Sequence, residues 1–203
     1  MYQDFQNSMK GFVVFTLSDI RKTFPNFAGK NLVNWQTKGY LNKLKNGCYA
    51  FSDIKPTEYN RFLASNKLYE PSYVSMESAL SYFGVIPEGV YSVQAISTRK
   101  TKNFSNALGT FHYHSLKSSL YFGYRLVHEG DSIPFRIATL EKTLLDFLYL
   151  RSDIDSMEAL EALRWNRDIL AAIDWPILEQ YLELFNSRTL RKKTELLHTY
   201  LHA

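Results

Sequence analysis

Hydrophobic positions near the start of the chain recur with helical spacing. Leu17, Ile20 and Phe24, at i, i+3 and i+7, predict a helix over 17–24 that buries one stripe and turns Arg21 and Lys22 outward. Thr16-Leu17-Ser18-Asp19 supplies a hydroxyl and a carboxylate for the free N–H groups of its first turn, and Pro25-Asn26 ends it. After Phe27-Ala28-Gly29 a second helix is predicted over 30–38. Leu32, Trp35 and Gly39 fall on one side of it, and Lys30, Asn31, Asn34, Thr37 and Lys38 on the other. The period then drops to two. Segments 41–45 and 48–51 flank Asn46-Gly47, the pair best suited to a two-residue hairpin turn with φ > 0 at both positions. Strand alternation would set Lys43 and Lys45 on one face of that hairpin.

Further along, Thr57 to Leu63 predicts a short helix and Asn66 to Pro71 an irregular stretch, which places a connector at 53–74. Ser75 is positioned to cap a helix that runs to Phe83 and stops at Gly84. Segments 90–97, 110–116, 121–127 and 133–137 are rich in β-branched and aromatic residues and predict a small sheet. From Thr139 onward the pattern is helical, over 140–150 and about 157–166, 176–185 and 190–202. The expectation is an α+β protein: a winged helix-turn-helix at 1–52, a connector, and a larger α+β effector domain at 75–203.

Charge distribution gives the N-terminal unit its chemistry. The first 52 residues carry seven Lys and Arg against two Asp, a net of +5, while the remaining 151 carry 17 basic against 18 acidic residues. A basic segment joined to a near-neutral one is the layout of a nucleic-acid reader with a partner domain. Lysine offers charge to phosphate or guanine, and asparagine can pair bidentately with adenine. The candidate DNA-binding set is therefore Lys30, Asn31, Asn34, Thr37, Lys38, Lys43, Lys45 and Asn46, with Trp35 and Tyr40 assigned to packing. Arg99, Lys100 and Lys102, in a loop between expected strands, form a second contact set. Arg188, Arg191, Lys192 and Lys193 read as an exposed helix face.

Few residues suggest catalysis. His112 and His114 share a strand face at a spacing that can hold a metal, but no carboxylate or cysteine is near them in sequence. Asp153 and Asp155 have the spacing of a magnesium-holding pair, yet with Ser152 and Ser156 they read better as loop and cap residues. Phosphate-binding glycine loops and nucleophile elbows are absent. Cys48 is the sole cysteine, and no run of about 18 apolar residues occurs. A non-catalytic, soluble, cytoplasmic protein without metal, cofactor or membrane contact is expected.

Several segments in order then carry a family resemblance. Tyr69-Glu70-Pro71-Ser72-Tyr73-Val74-Ser75-Met76-Glu77-Ser78-Ala79-Leu80, Tyr82 to Glu88, Thr98-Arg99-Lys100-Thr101 with Phe104, Leu108 to Phe111, and Ile137-Ala138-Thr139-Leu140-Glu141-Lys142-Thr143-Leu144-Leu145-Asp146 resemble the AbiEi-type antitoxins of type IV toxin–antitoxin systems. The likeness spans about residues 10 to 150 and weakens over the C-terminal helices. It implies an antitoxin that represses its own promoter by binding inverted repeats, possible homodimerisation, and a larger domain that counters a nucleotidyltransferase toxin directly or indirectly. The competing expectation is a winged-helix transcription factor whose second domain senses a ligand or dimerises.

Overall fold

The computed structural model describes residues 2–87, 89–128 and 133–202, so Glu88 of the motif string lies outside the described residues. The N-terminal unit runs α1 (Tyr2–Met9), β1 (Phe15–Thr16), α2 (Leu17–Thr23), α3 (Lys30–Thr37), β2 (Leu41–Lys45) and β3 (Cys48–Phe51). Its three strands are antiparallel in the order β1-β3-β2. α1 was not expected, although Phe5 and Met9 carry its signal at i and i+4. Both are buried against Phe15, Ile20, Leu32, Trp35, Leu41 and Phe51, so the amphipathic faces of all three helices close on one aromatic core. α2 begins as expected. The Thr16 hydroxyl accepts from the Asp19 N–H at 3.2 Å while the Asp19 carboxylate accepts from the Thr16 N–H at 2.9 Å, a complete capping box.

The hairpin differs from expectation in one respect. Gly47 has φ 77°, but Asn46 is outside the left-handed region, and the register shifts between Lys43 and Lys45. Leu44 is thus the additional residue of a β-bulge. Strict alternation is lost: Leu41 and Leu44 are both buried, and Lys43 and Lys45 no longer share a face.

The larger unit comprises α4 (Glu58–Leu68), β4 (Ser72–Val74), α5 (Met76–Tyr82), β5 (Ser92–Ser97), β6 (Lys102–Asn106), β7 (Gly109–Ser115), β8 (Tyr124–Val127), β9 (Phe135–Ala138), α6 (Leu140–Leu150), α7 (Met157–Ala162), α8 (Arg167–Leu170), α9 (Trp175–Phe185) and α10 (Arg188–His202). Six strands form one mixed sheet, ordered β6-β7-β5-β4-β9-β8, with β4/β9 and β5/β7 parallel. The architecture is α+β. Expected strands and helices are largely present, with three corrections. Residues 58–74 are no loose connector: α4 continues to Leu68, and β4 pairs with both β5 and β9 in the interior of the sheet. Ser72, Tyr73 and Val74 are all buried, so β4 has no alternation to detect. The basic loop after β5 leads straight into edge strand β6, which starts at Lys102. The helix expected over about 157–166 stops at Ala162 as α7, Arg164 turns the chain at φ 50°, and the short helix α8 begins only at Arg167.

The two units share a core. Val14, Leu44, Cys48 and Ala50 pack in one cluster with Phe62, Ala64, Leu68, Val74, Phe111 and Tyr113, and Lys67 on α4 reaches Asp19 at 3.3 Å. Tyr73, Leu80, Leu144, Leu148, Leu160, Leu178 and Leu197 belong to the second large cluster, under the C-terminal helices. Among the described residues no helix is long and apolar enough to cross a membrane.

Candidate nucleic-acid interface

α3 is anchored by buried Leu32 and Trp35, and Trp35 lies 4.6 Å, ring centroid to centroid, from Phe5. That anchoring turns Lys30, Asn34, Thr37 and Lys38 to solvent, as the sequence predicted; Asn31 is half-buried on the flank. The Thr37 hydroxyl donates to the Val33 carbonyl at 3.1 Å and keeps acceptor capacity. Val33 was missed. It is 61% exposed between Lys30 and Thr37, an apolar group on the same face. Its signal was available: i+3 from Lys30 and i−4 from Thr37 place it in the polar stripe.

Beside α3, Lys43 and Asn46 are exposed on the hairpin. Lys45 is not free as expected. Its ammonium donates to the Leu68 carbonyl and lies 6.0 Å from the Phe104 ring, because the bulge at Leu44 swings it toward the larger unit. Lys102 sits 5.9 Å from the same ring, so residues of the two basic sets, far apart in sequence, meet around Phe104. Arg99 lies over Tyr69 at 5.1 Å and donates to the Glu70 carbonyl at 3.2 Å. Lys100 is exposed, and its carbonyl accepts from the Tyr69 hydroxyl at 2.9 Å.

Several of the other charged candidates are structurally engaged. His112 is 3.0 Å from Asn103 Oδ1 and His114 2.8 Å from Gln94 Oε1, with burial pushing the His114 imidazole below its usual pKa. Arg151 grips Asp153 with two N–H groups, at 2.9 and 2.7 Å, and those hydrogen bonds hold the carboxyl down to about 2. Asp155 is exposed, and among the described residues no group of three or more His, Cys, Asp or Glu is placed to hold a metal ion. In the C-terminal basic group, Arg188 and Lys192 are exposed and Arg191 pairs with Glu179 at 3.2 Å. Lys193 is a correction: it is buried and donates to the Leu148 and Arg151 carbonyls at the end of α6.

A buried polar group unites two pieces of the motif string. The Lys142 ammonium bonds the Asp146 carboxylate and donates to the Tyr73 hydroxyl at 2.9 Å; Tyr73 and Ser75 hydroxyls donate to Asp146 at 3.0 and 2.9 Å. Ser75 therefore spends its hydroxyl on Asp146 instead of capping α5. Phe122 and Phe185 face the same ammonium at 5.1 and 4.9 Å. Burial lowers the Lys142 pKa and raises that of Asp146, against the mutual attraction and the hydroxyl donors. Gly123, at φ 69°, lets the chain pass: a Cβ there would lie 3.0 Å from Lys142 and Tyr181. Fully enclosed, this quartet can hold elements together but cannot reach a ligand.

No family model matches the chain, and no curated protein matches it. The α3 face and its adjoining hairpin gather six of the exposed candidate residues, Lys30, Asn34, Thr37, Lys38, Lys43 and Asn46.

Proposed function

We propose that the chain is a DNA-binding antitoxin of the AbiEi type, which represses its own promoter through an N-terminal winged helix and counteracts a nucleotidyltransferase toxin. One observation carries the DNA half: α3 presents Lys30, Val33, Asn34, Thr37 and Lys38 together on a rigidly backed helix, with Lys43 on a hairpin beside it. Lysines at the two ends of that face and on the hairpin would neutralise phosphates, while Asn34 and Val33 would meet base edges. Lys102, brought beside Lys45 at Phe104, extends the positive surface onto the larger unit, where Arg99 and Lys100 add phosphate contacts. In this reading α3 is the recognition helix and the hairpin is the wing.

The antitoxin half rests on the resemblance between residues 10 and 150. It is compatible with a larger unit that commits its buried charges, Lys142, Asp146 and Lys193, to structure. The direct test is titration of the protein onto its own upstream DNA across a salt series, paired with co-expression alongside the adjacent reading frame. Site-selective binding that weakens steeply with salt, and rescue from the toxicity of that frame, are the expected results. Binding that is indifferent to sequence and salt would remove the repressor reading; failure of rescue would remove the antitoxin reading.

A further inference from the structure

The N-terminal unit contains a cleft of about 600 Å³ between α1, the α2–α3 turn and the start of α3. That volume falls within the range of small-molecule sites, roughly 300–1,000 Å³. Phe5, Phe24, Phe27 and Trp35 line it. Phe5 and Phe27 stack at 5.7 Å and 27°, and Phe27 lies 5.6 Å from Trp35. Phe24 and Phe27 are only half-buried, so part of this aromatic wall faces water. A flat ring entering the cleft would release that water and meet ring faces and edges on several sides.

The polar rim carries one charge of each sign, Lys30 and Asp4. Lys30 and Asn31, from the first turn of α3, contribute an ammonium and a carboxamide, and that turn contains no acidic residue to offset the positive end of the helix. Asp4 is the lining carboxylate, supplied by α1, and it is already engaged. With Asp4 already engaged, Lys30 is the charge left to a ligand at the rim, and with the aromatic walls it selects an anionic head on a planar ring.

We infer that this cleft binds a small aromatic carboxylate, its ring against Phe24, Phe27 and Trp35 and its carboxylate on Lys30 and Asn31. Because Lys30 belongs to the proposed DNA-reading face and Asn31 lies on its flank, ligand and DNA would compete, an extension that rests on the proposed function; ligand binding itself does not.

The full chain, without DNA, is titrated with benzoate, acetate and benzyl alcohol while NMR follows the Trp35 indole N–H and the Asn31 side-chain amide. Benzoate should give saturable shifts at both, acetate none, and benzyl alcohol binding weaker by roughly tenfold, the worth of a charge-assisted hydrogen bond. Lys30→Gln should weaken benzoate by a similar factor and leave benzyl alcohol unchanged. Ala28→Trp, at an exposed position on the cleft wall, should abolish binding of both. Absence of saturable benzoate shifts, or equal affinity for benzoate and benzyl alcohol that Lys30→Gln does not change, would overturn the site. Saturating benzoate should then weaken binding to the upstream DNA about tenfold or more; unchanged DNA affinity would overturn the competition. A chain that binds benzoate but no DNA would defeat the proposed function and leave the cleft assignment intact.

Discussion

Two groups of lysines divide this molecule. Lys30, Lys38 and Lys43 stand in solvent with no ion-pair partner among the described residues, whereas Lys142 and Lys193 are buried and bonded to a carboxylate, a hydroxyl or helix-end carbonyls. An exposed unpaired ammonium contributes almost nothing to folding and remains available to phosphate. A buried one has lost its water, and the fold depends on its partners. Removing lysines from the first group should therefore change binding and leave stability alone; disturbing the second should do the reverse.

The largest effect is expected at Asp146. Asp146→Ala strands the Lys142 ammonium in the core and should destabilise the protein by about 3–5 kcal/mol, measured by urea denaturation. The double replacement Lys142→Met with Asp146→Leu removes both charges and should recover most of that loss. If the single and double variants were equally damaged, the ion pair would not be the organising feature claimed here. Gly123→Ala tests the same region more gently. Its Cβ would press on Lys142 and Tyr181 at an unfavourable positive φ, for a loss of about 1–3 kcal/mol.

A smaller effect belongs to the capping box of α2. Burial pushes the Asp19 carboxyl up, but the Thr16 hydroxyl and N–H, with Lys67, outweigh it and hold the group below its ordinary value of 3.8. A carboxylate with a lowered folded pKa adds stability that is complete above that ordinary value and is lost as pH falls through the folded one. Asp19→Asn should consequently remove about 1 kcal/mol at neutral pH and flatten the acid limb of the stability profile below pH ~4. An acid limb identical to wild type would show that Asp19 does not couple the helix to α4.

The smallest stability effect, and the sharpest contrast, is between neighbours on the hairpin. Lys45→Ala should cost up to about 1 kcal/mol by releasing the Leu68 carbonyl. It should change DNA affinity less than Lys43→Ala, which should leave the melting temperature unchanged.

The same division explains what the chain's pattern revealed. α2, α3 and the hairpin were legible because each is amphipathic, and Thr16 and Asn46-Gly47 punctuate them with local chemistry. The polar α3 face was legible with them, and the spacing of Val33 from Lys30 and Thr37 places that apolar residue on it too. β4 was not legible, since Ser72, Tyr73 and Val74 are buried on both faces and show no period. Neither was the fate of Lys45, which follows from a bulge, nor that of Lys193, whose acceptors lie 42 and 45 residues earlier. Tyr73, Ser75, Lys142 and Asp146 stood out only as parts of a motif string; that they converge is a property of the folded sheet and α6.

The central claim, that the α3 face and hairpin read DNA, is tested most directly by the salt dependence of binding to the chain's own upstream DNA. The wild type is compared with a Lys30/Lys38/Lys43→Ala variant of verified unchanged melting temperature. The account predicts that the variant loses affinity and that its log–log salt slope falls by roughly one per lysine, about three in all. An unchanged slope and affinity in a fully folded variant would contradict it.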